Sequence, residues 1–436
     1  MFFIAKLVLK PWIHRVYAEL ESEKLMINLL AFVIGNDSPF GGQLKVRTTK
    51  TAISIFRSSS MEKMFKRTLL GAAVAMVSTG ALAAESSQVG IISDFNVQAY
   101  GVAAISIVNY DSEETKAGVT TDTGTGYDYE NESRIGFRAS KDMYENLNVF
   151  MQIESGYVGE NGDGASLGNR DTFLGLQGDW GKVRFGRMLT PMYEVIDWPY
   201  ANPGLGAVWD WGGDVKYNRD RHGDMARYDS VDYNGFTFNL ATGRGDSSVK
   251  DNYFYGAAAH YRLNDSITFH AALETETDRQ LTAATAAGTC LETAGCGTGI
   301  SFGDATAATS ATIADTFGYL VGFEASLPAG FGIAGAYKAG ESDVQGGDKS
   351  EQASYSIIGQ YWTGPWGFKL GYAANMDSET AGVKANNEDS VVSGQLMYVH
   401  NGFVPYVRIA QRDILSSDGA TNTETFVVRV GLEYGF

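Results

Sequence analysis

From Phe95 onward the chain repeats one pattern. Runs of roughly ten residues, the length of a tilted membrane-crossing strand, alternate apolar and polar positions, and polar stretches rich in Gly, Asp, Asn and Ser separate them. In Thr425–Phe436 the even positions are Phe426, Val428, Val430, Leu432, Tyr434 and Phe436; the odd ones are Thr425, Val427, Arg429, Gly431, Glu433 and Gly435. A period of two sends these sets to opposite faces of a strand, one apolar and one carrying charge. Trp366–Met376 repeats it, with Trp366, Phe368, Leu370 and Tyr372 opposing Gly367, Lys369, Gly371 and Ala373. In Asn148–Tyr157, Val149, Met151 and Ile153 oppose Gln152 and Glu154.

The connections alternate between short and long. Short ones include 263–266, 327–330, 363–367, 400–402, the Asn234-Gly235 hairpin signal and the Gly178-Asp179-Trp180-Gly181 turn. Long ones cover 111–129, 159–168, 189–225, 244–251, 278–315, 340–352, 377–388 and 413–423. Eight long and seven short connections predict sixteen strands, an even number that lets an antiparallel sheet close on itself. Alternation alone suits a soluble sandwich as well as a membrane barrel. Aromatics at strand ends (Tyr100, Tyr110, Tyr157, Phe236, Tyr261, Trp366, Tyr398, Phe403, Tyr434) fit interfacial girdles. Closure also removes the strand edges that hydrocarbon does not tolerate. The expected fold is all-β: a 16-stranded antiparallel transmembrane β-barrel with short periplasmic turns and long outer loops.

The stretch Asn169–Phe238 stands apart. Two β-like runs, Arg170–Gln177 and Lys182–Met188, precede a segment without strand alternation that ends where Ala226-Arg227-Tyr228 opens the next strand. So long an irregular segment is usually functional or disordered. This one holds Trp198, Trp209 and Trp211, which points to packing. It carries Glu194, Asp197, Asp210 and Asp214, and the flanking strands carry Arg170, Arg184 and Arg227, the makings of a charged passage.

Residues 61–84 have the parts of a secretory signal: Lys63, Lys66 and Arg67, then apolar Leu69–Val77, then Ala81-Leu82-Ala83-Ala84. The reading is a mis-assigned upstream extension at 1–60, a signal peptide at 61–84 and a β-barrel domain at 85–436. The chain has 34 basic and 51 acidic residues, of which residues 1–84 hold 11 and 5, leaving 23 and 46. A net charge near −23 argues against nucleic-acid partners and favours soluble outer loops and attraction of cations. Cys290 and Cys296 are close enough for a loop disulfide in a secreted chain, and with no histidine nearby a zinc site is not expected. No cofactor and no metal is expected.

Four pieces, in order, resemble the general diffusion porins of Gram-negative outer membranes, in particular the marine gamma-proteobacterial type: Ser133-Arg134-Ile135-Gly136-Phe137-Arg138; Asn169-Arg170-Asp171-Thr172-Phe173-Leu174-Gly175-Leu176; Val183-Arg184-Phe185-Gly186-Arg187; and Arg227-Tyr228-Asp229-Ser230 ahead of Gly235-Phe236. The resemblance covers Phe95 to the terminal Phe436. It implies a third long loop folded into the barrel, with Arg134, Arg170 and Arg227 facing that loop across a constriction and Arg138 and Arg184 as further basic-wall candidates. Glu194, Asp197, Asp210 and Asp214 form the candidate acidic side. The PEFGG motif of enteric members is missing; Pro203-Gly204-Leu205-Gly206 and the WDWGGD stretch stand in its place. Arg187 shares parity with Val183 and Phe185, which argues against its facing the lumen. Leu432, Tyr434 and Phe436 are the expected assembly signal. A homotrimer is implied by the resemblance alone.

The tryptophans read as loop-packing residues in preference to a sugar-stacking ladder, and His222, His260, His270 and His400 as decoration of loops and walls. The expected function is a water-filled outer-membrane channel for passive diffusion of ions and small hydrophilic solutes, in contact with lipid and lipopolysaccharide. The alternative is a substrate-selective channel, for instance for oligosaccharides. An outer-membrane enzyme comes third, because no histidine–nucleophile or paired-carboxylate motif is present.

Overall fold

The computed structural model describes residues 95–156, 167–200, 203–204, 206–210, 212–245, 249–282, 288–289, 305–306 and 311–436. The expected extension, signal segment, cysteine pair, Trp211 and Tyr157 lie outside them.

Sixteen long strands form one closed antiparallel barrel among the described residues. In chain order they begin with β1 (Asn96–Lys116), β2 (Arg134–Tyr144), β3 (Leu147–Gly156), β4 (Thr172–Gly178), β5 (Gly181–Leu189) and β6 (Arg221–Asp229). Next are β7 (Phe236–Arg244), β8 (Tyr253–Asn264), β9 (Ile267–Thr282), β10 (Thr312–Ser326) and β11 (Phe331–Val344). The set ends with β12 (Lys349–Thr363), β13 (Trp366–Asn375), β14 (Asp389–Tyr398), β15 (Phe403–Leu415) and β16 (Thr421–Gly435). Each strand pairs with its neighbours in sequence, and β1 closes the ring on β16 from Val102↔Gly435 to Lys116↔Thr421. Phe436 extends this seam, exchanging both backbone hydrogen bonds with Gly101 at 3.0 Å.

Side-chain parity follows the sequence pattern. Phe426, Val430, Leu432 and Tyr434 are exposed on the outer wall, while Thr425, Val427 and Arg429 are buried inside. Outward Phe317, Tyr319, Val321 and Phe323 repeat this on β10. An apolar outer band around a polar interior is the inverse of a soluble core, and it suits hydrocarbon.

The outer connections differ from expectation. The β11–β12 ladder continues through Ser342↔Ser350 and Asp343↔Lys349, so only 345–348 turn, where 340–352 reads as a loop. On β1 pairing runs to Lys116, and between β15 and β16 it runs to Leu415↔Asn422. Above the membrane both faces meet water, so alternation fades while the backbone ladder goes on. β6 likewise starts at Arg221, ahead of the expected Ala226.

The third long connection, 190–220, contains α1 (Pro191–Asp197) and α2 (Gly206–Trp209). Thr190 caps α1, its hydroxyl accepting from the Tyr193 amide at 3.1 Å, and Pro191 occupies the first turn, where its missing N–H has no helical partner to lose. Helices of this length do not persist on propensity, so packing must hold them. α1 lies against β7, β8 and β9, and α2 against β12, β13 and β14. Met192, Ile196, Tyr200, Val208 and Trp209 are fully buried by this packing. The wall makes room with small inward residues, Ala258, Ala272, Ala334, Ala336 and Ala373. At Gly340 a Cβ would come within 2.2 Å of the Tyr217 ring and at Gly318 within 2.5 Å, so the notch that seats Tyr217 requires glycine at both positions. The connection thus packs on the inner wall at both of its helices.

Candidate pore constriction

The first helix of the loop brings acids to a bank of arginines. Arg227, on β6 and 2 % exposed, donates to Glu194 of α1 at 2.5 Å, to Asp229 at 2.8 Å and to the Leu189 carbonyl at 3.1 Å. Arg184 on β5 pairs with the same Asp229 at 2.9 Å. Arg170 pairs with Glu154 at 2.6 Å, and Glu154 also accepts from the Tyr100 hydroxyl at 2.8 Å. Arg221 pairs with Asp171 at 2.7 Å. Arg138 donates to Gln152 at 2.9 Å and lies 3.9 Å over the Tyr100 ring.

A space of about 440 Å³ opens between these groups, bordered by Arg134, Arg138, Glu154, Arg170, Asp171, Arg184, Asp197 and Arg221. Burial pushes the Asp197 carboxyl above the usual carboxylate range, against the pull of Arg221, Arg170 and Arg134. The four loop acids therefore divide. Glu194 and Asp197 face the arginines of β2–β6. Asp210, at the end of α2, stands across from Lys338 of β11, and Asp214 accepts from Asn387, its amide donating to Gln352 Oε1 at 2.8 Å.

Several lumenal groups were not singled out as site candidates in the sequence, although Lys369 and Arg429 read there on the polar faces of their strands. Lys369, Gln395, Arg408 and Arg429 occupy one rung of β13–β16, paired strand to strand in register. Arg408 donates to Gln395 at 2.9 Å, Lys369 stands 4.8 Å from the Trp198 ring centroid, and Arg429 pairs with Glu130 at 2.6 Å. Parity offered the signal: each cation alternates with outward residues such as Phe368, Leu370, Val407 and Val430. Arg187 departs from its parity because Gly186, at φ +136°, carries a bulge that shifts the register beyond it. Past that bulge Arg187 borders a space shared with Arg219, Arg221 and Arg244.

Of the tryptophans, Trp209 is fully buried, donates to the Ile196 carbonyl at 3.0 Å and meets Tyr200 edge-on. Trp198 is 59 % exposed. His260 and His270 form an inward pair with Nδ1 atoms 2.7 Å apart, and His270 lies 3.6 Å from Glu324. His222 stacks on Phe254 at 4.6 Å, and His400 sits at the turn before β15.

A polar, charge-lined lumen narrowed by an inserted loop inside a lipid-facing barrel defines a membrane channel. The chain matches the Gram-negative porin family over residues 71–401 and belongs to that family. It is an outer-membrane porin, passing ions and small hydrophilic solutes by passive diffusion. It is 50 % identical over 392 residues to the chitoporin of Vibrio furnissii, covering 86 % of this chain and 100 % of that protein. Among solved structures its fold is similar to the anion-selective porin from Comamonas acidovorans, with a TM-score of 0.57 at 16 % identity, covering 79 % of this chain and 100 % of that one. It is also similar to in-vitro folded OmpT of Vibrio cholerae in trimer form, with a TM-score of 0.51 at 14 % identity and coverage of 79 % and 100 %.

Proposed function

We propose that this porin selects β-linked N-acetylglucosamine oligomers, the soluble fragments of chitin, and passes ions and small solutes less selectively. The observation that carries this is the 50 % identity to a chitoporin across that protein's whole length. Geometry supports it at Trp198, more than half exposed on the constriction loop with Lys369 on one face of its ring. An indole face stacks on the apolar face of a pyranose ring, and the surrounding charged groups replace the hydrogen bonds that sugar hydroxyls and acetamido groups lose with water. The constriction is proposed to lie between α1, through Glu194 and Asp197, and the β2–β5 cations Arg134, Arg138, Arg170 and Arg184, with Arg227 anchoring the helix. Arg227 is bonded on three sides, so its part is to hold the loop.

In planar bilayers, chitohexaose should interrupt the ion current in a saturable way at concentrations where maltohexaose leaves it open, and Trp198→Ala should shorten each interruption at least fivefold. Equal block by the two hexasaccharides would overturn the sugar assignment and leave a general porin.

The assembly is proposed to be a homotrimer, which the likeness to an OmpT in trimer form supports; native mass spectrometry should give three chains per particle. Leu432, Tyr434 and Phe436 all point outward at the closing seam and are proposed as the assembly signal. Deleting Phe436 should lower the outer-membrane yield while leaving the conductance of assembled channels unchanged.

A further inference from the structure

The return limb of the loop, residues 212–220, leaves a cavity of about 320 Å³ between itself and the inner faces of β9, β11 and β12. Arg221 borders both this cavity and the space beside the arginines. Lys338, on β11, is 2 % exposed; its Nζ lies 5.0 Å from the Trp209 ring centroid and 5.8 Å from that of Tyr217. No carboxylate among the described residues comes within ion-pair distance of it. Arg279, on β9 and 9 % exposed, donates Nη2 to the Asn218 carbonyl at 3.4 Å and turns Nε toward Glu276 at 3.7 Å, while its Nη1 has no partner. On the loop side Asp210 accepts from Tyr193, and its solvent-shielded Oδ1 has no partner.

Buried polar atoms are nearly always hydrogen-bonded, so two donors and one acceptor left over around one cavity describe the polarity of what completes it. Net charge narrows the class. Five cations line the cavity, Lys216, Arg219, Arg221, Arg279 and Lys338, against Asp210 and Asp220 in the lining and Asp214, Glu274 and Glu276 just behind it; Arg219 pairs with Glu276 at 2.7 Å, its amide donates to Glu274 at 3.0 Å, and Arg221 pairs with Asp220 at 3.4 Å. A lone anion or cation would unbalance such a pocket, which is costly in a low-dielectric setting. A neutral dipolar molecule would not. The donors sit on the barrel wall and the acceptor on the loop, so the dipole would span the two.

We propose that this cavity binds a small zwitterion of the α-amino-acid type, with its carboxylate against Arg279 and Lys338 and its ammonium against Asp210. Its occupant would tie the loop to the wall.

The test is a ligand-observed NMR titration of the detergent-folded protein with glycine, β-alanine and γ-aminobutyrate, using acetate, methylamine and inorganic phosphate as single-sign controls. At least one zwitterion should bind saturably and at least tenfold tighter than every control. Lys338→Met and Asp210→Asn should each weaken that binding at least tenfold, with folding of both variants checked by heat-modifiable migration. Should either variant fail to fold, the wild-type ligand series decides alone. The proposal is overturned by controls that bind as well as the zwitterions, by no saturable binding at all, or by full binding in folded Lys338→Met.

Discussion

The two basic sides of the lumen are built differently. On and beside β3–β6 four arginines meet carboxylates, Arg170 with Glu154, Arg184 with Asp229, Arg221 with Asp171, and Arg227 with both Glu194 and Asp229, while Arg187 donates to the Asn169 carbonyl. On β13–β15, Lys369 faces an indole and Arg408 a glutamine, and only when the rung reaches β16 does Arg429 meet Glu130. The paired side holds the loop, because those charges are satisfied by the elements they join. Lys369 and Arg408 add positive potential to the lumen without an ion-pair partner among the described residues. A chain with a strongly acidic net charge can therefore present a cationic strip to a passing solute.

Breaking the paired side should have the largest effect. Arg227→Ala leaves Glu194 without its ion-pair partner, while Asp229 keeps Arg184. Loss of one partner from a buried pair costs about 3–5 kcal/mol; the low end applies here because Glu194 keeps about a third of its surface in water. The temperature of the SDS mobility shift should fall and the single-channel conductance should become heterogeneous as α1 loosens. A uniform wild-type conductance would show that the loop stays in place without this anchor.

The unpaired side should respond in the opposite way. Arg408→Gln should leave that transition temperature unchanged and move the reversal potential in a tenfold KCl gradient toward cations. Two charges 4 Å apart in water interact by about 1 kcal/mol, which corresponds to roughly a fivefold change in the permeability ratio. The shift should shrink between 0.01 M and 0.1 M salt, as the screening length falls from about 30 Å to about 10 Å. If Arg408→Gln lowers stability as much as Arg227→Ala does, the contrast between the two sides fails.

Arg170→Ala should fall between them. It removes a charge from the open space and a side chain that packs over Gly156, so conductance and cation preference should both rise modestly. An unchanged reversal potential would take Arg170 out of the constriction.

The smallest effect expected is with pH. Burial raises the Asp210 carboxyl to about 7, with Lys338 opposing the shift. Because this pKa is raised, Asp210 is charged above about pH 7 and takes up a proton as pH falls through that value. The lumen then loses a negative charge, so cation preference should decline between pH 8 and pH 6. Asp210→Asn should remove that part of the decline, which reversal potentials in wild type and variant would show.

Much of this was legible in the sequence. Sixteen strands, the closing seam at Phe436, the turn at 178–181 and most of the outward aromatic band follow from a period of two, since neighbouring side chains on a strand must point to opposite sides; Tyr100 and Tyr110, expected in that band, turn inward instead, donating to Glu154 and Glu130. The same parity put Lys369 and Arg429 on the polar faces of their strands, and would have marked Arg408 as lumenal had it been applied to each strand in turn. It failed at Arg187, because a bulge at Gly186 resets the count and a single glycine does not announce it. It also misplaced the outer strand ends, where water on both faces erases the alternation while hydrogen bonding continues.

The partners of the loop acids were decided only by tertiary structure. Glu194, Asp197, Asp210 and Asp214 look alike along the chain. Their division between the arginine bank and the Lys338 wall depends on how α1 and α2 settle onto opposite stretches of a closed barrel. That placement rests on small residues far apart in sequence, such as Gly318 and Gly340, which become one notch for Tyr217 only after β10 and β11 pair. Local periodicity reports which way a side chain points, but the group it meets is set by the register of strands that close over hundreds of residues.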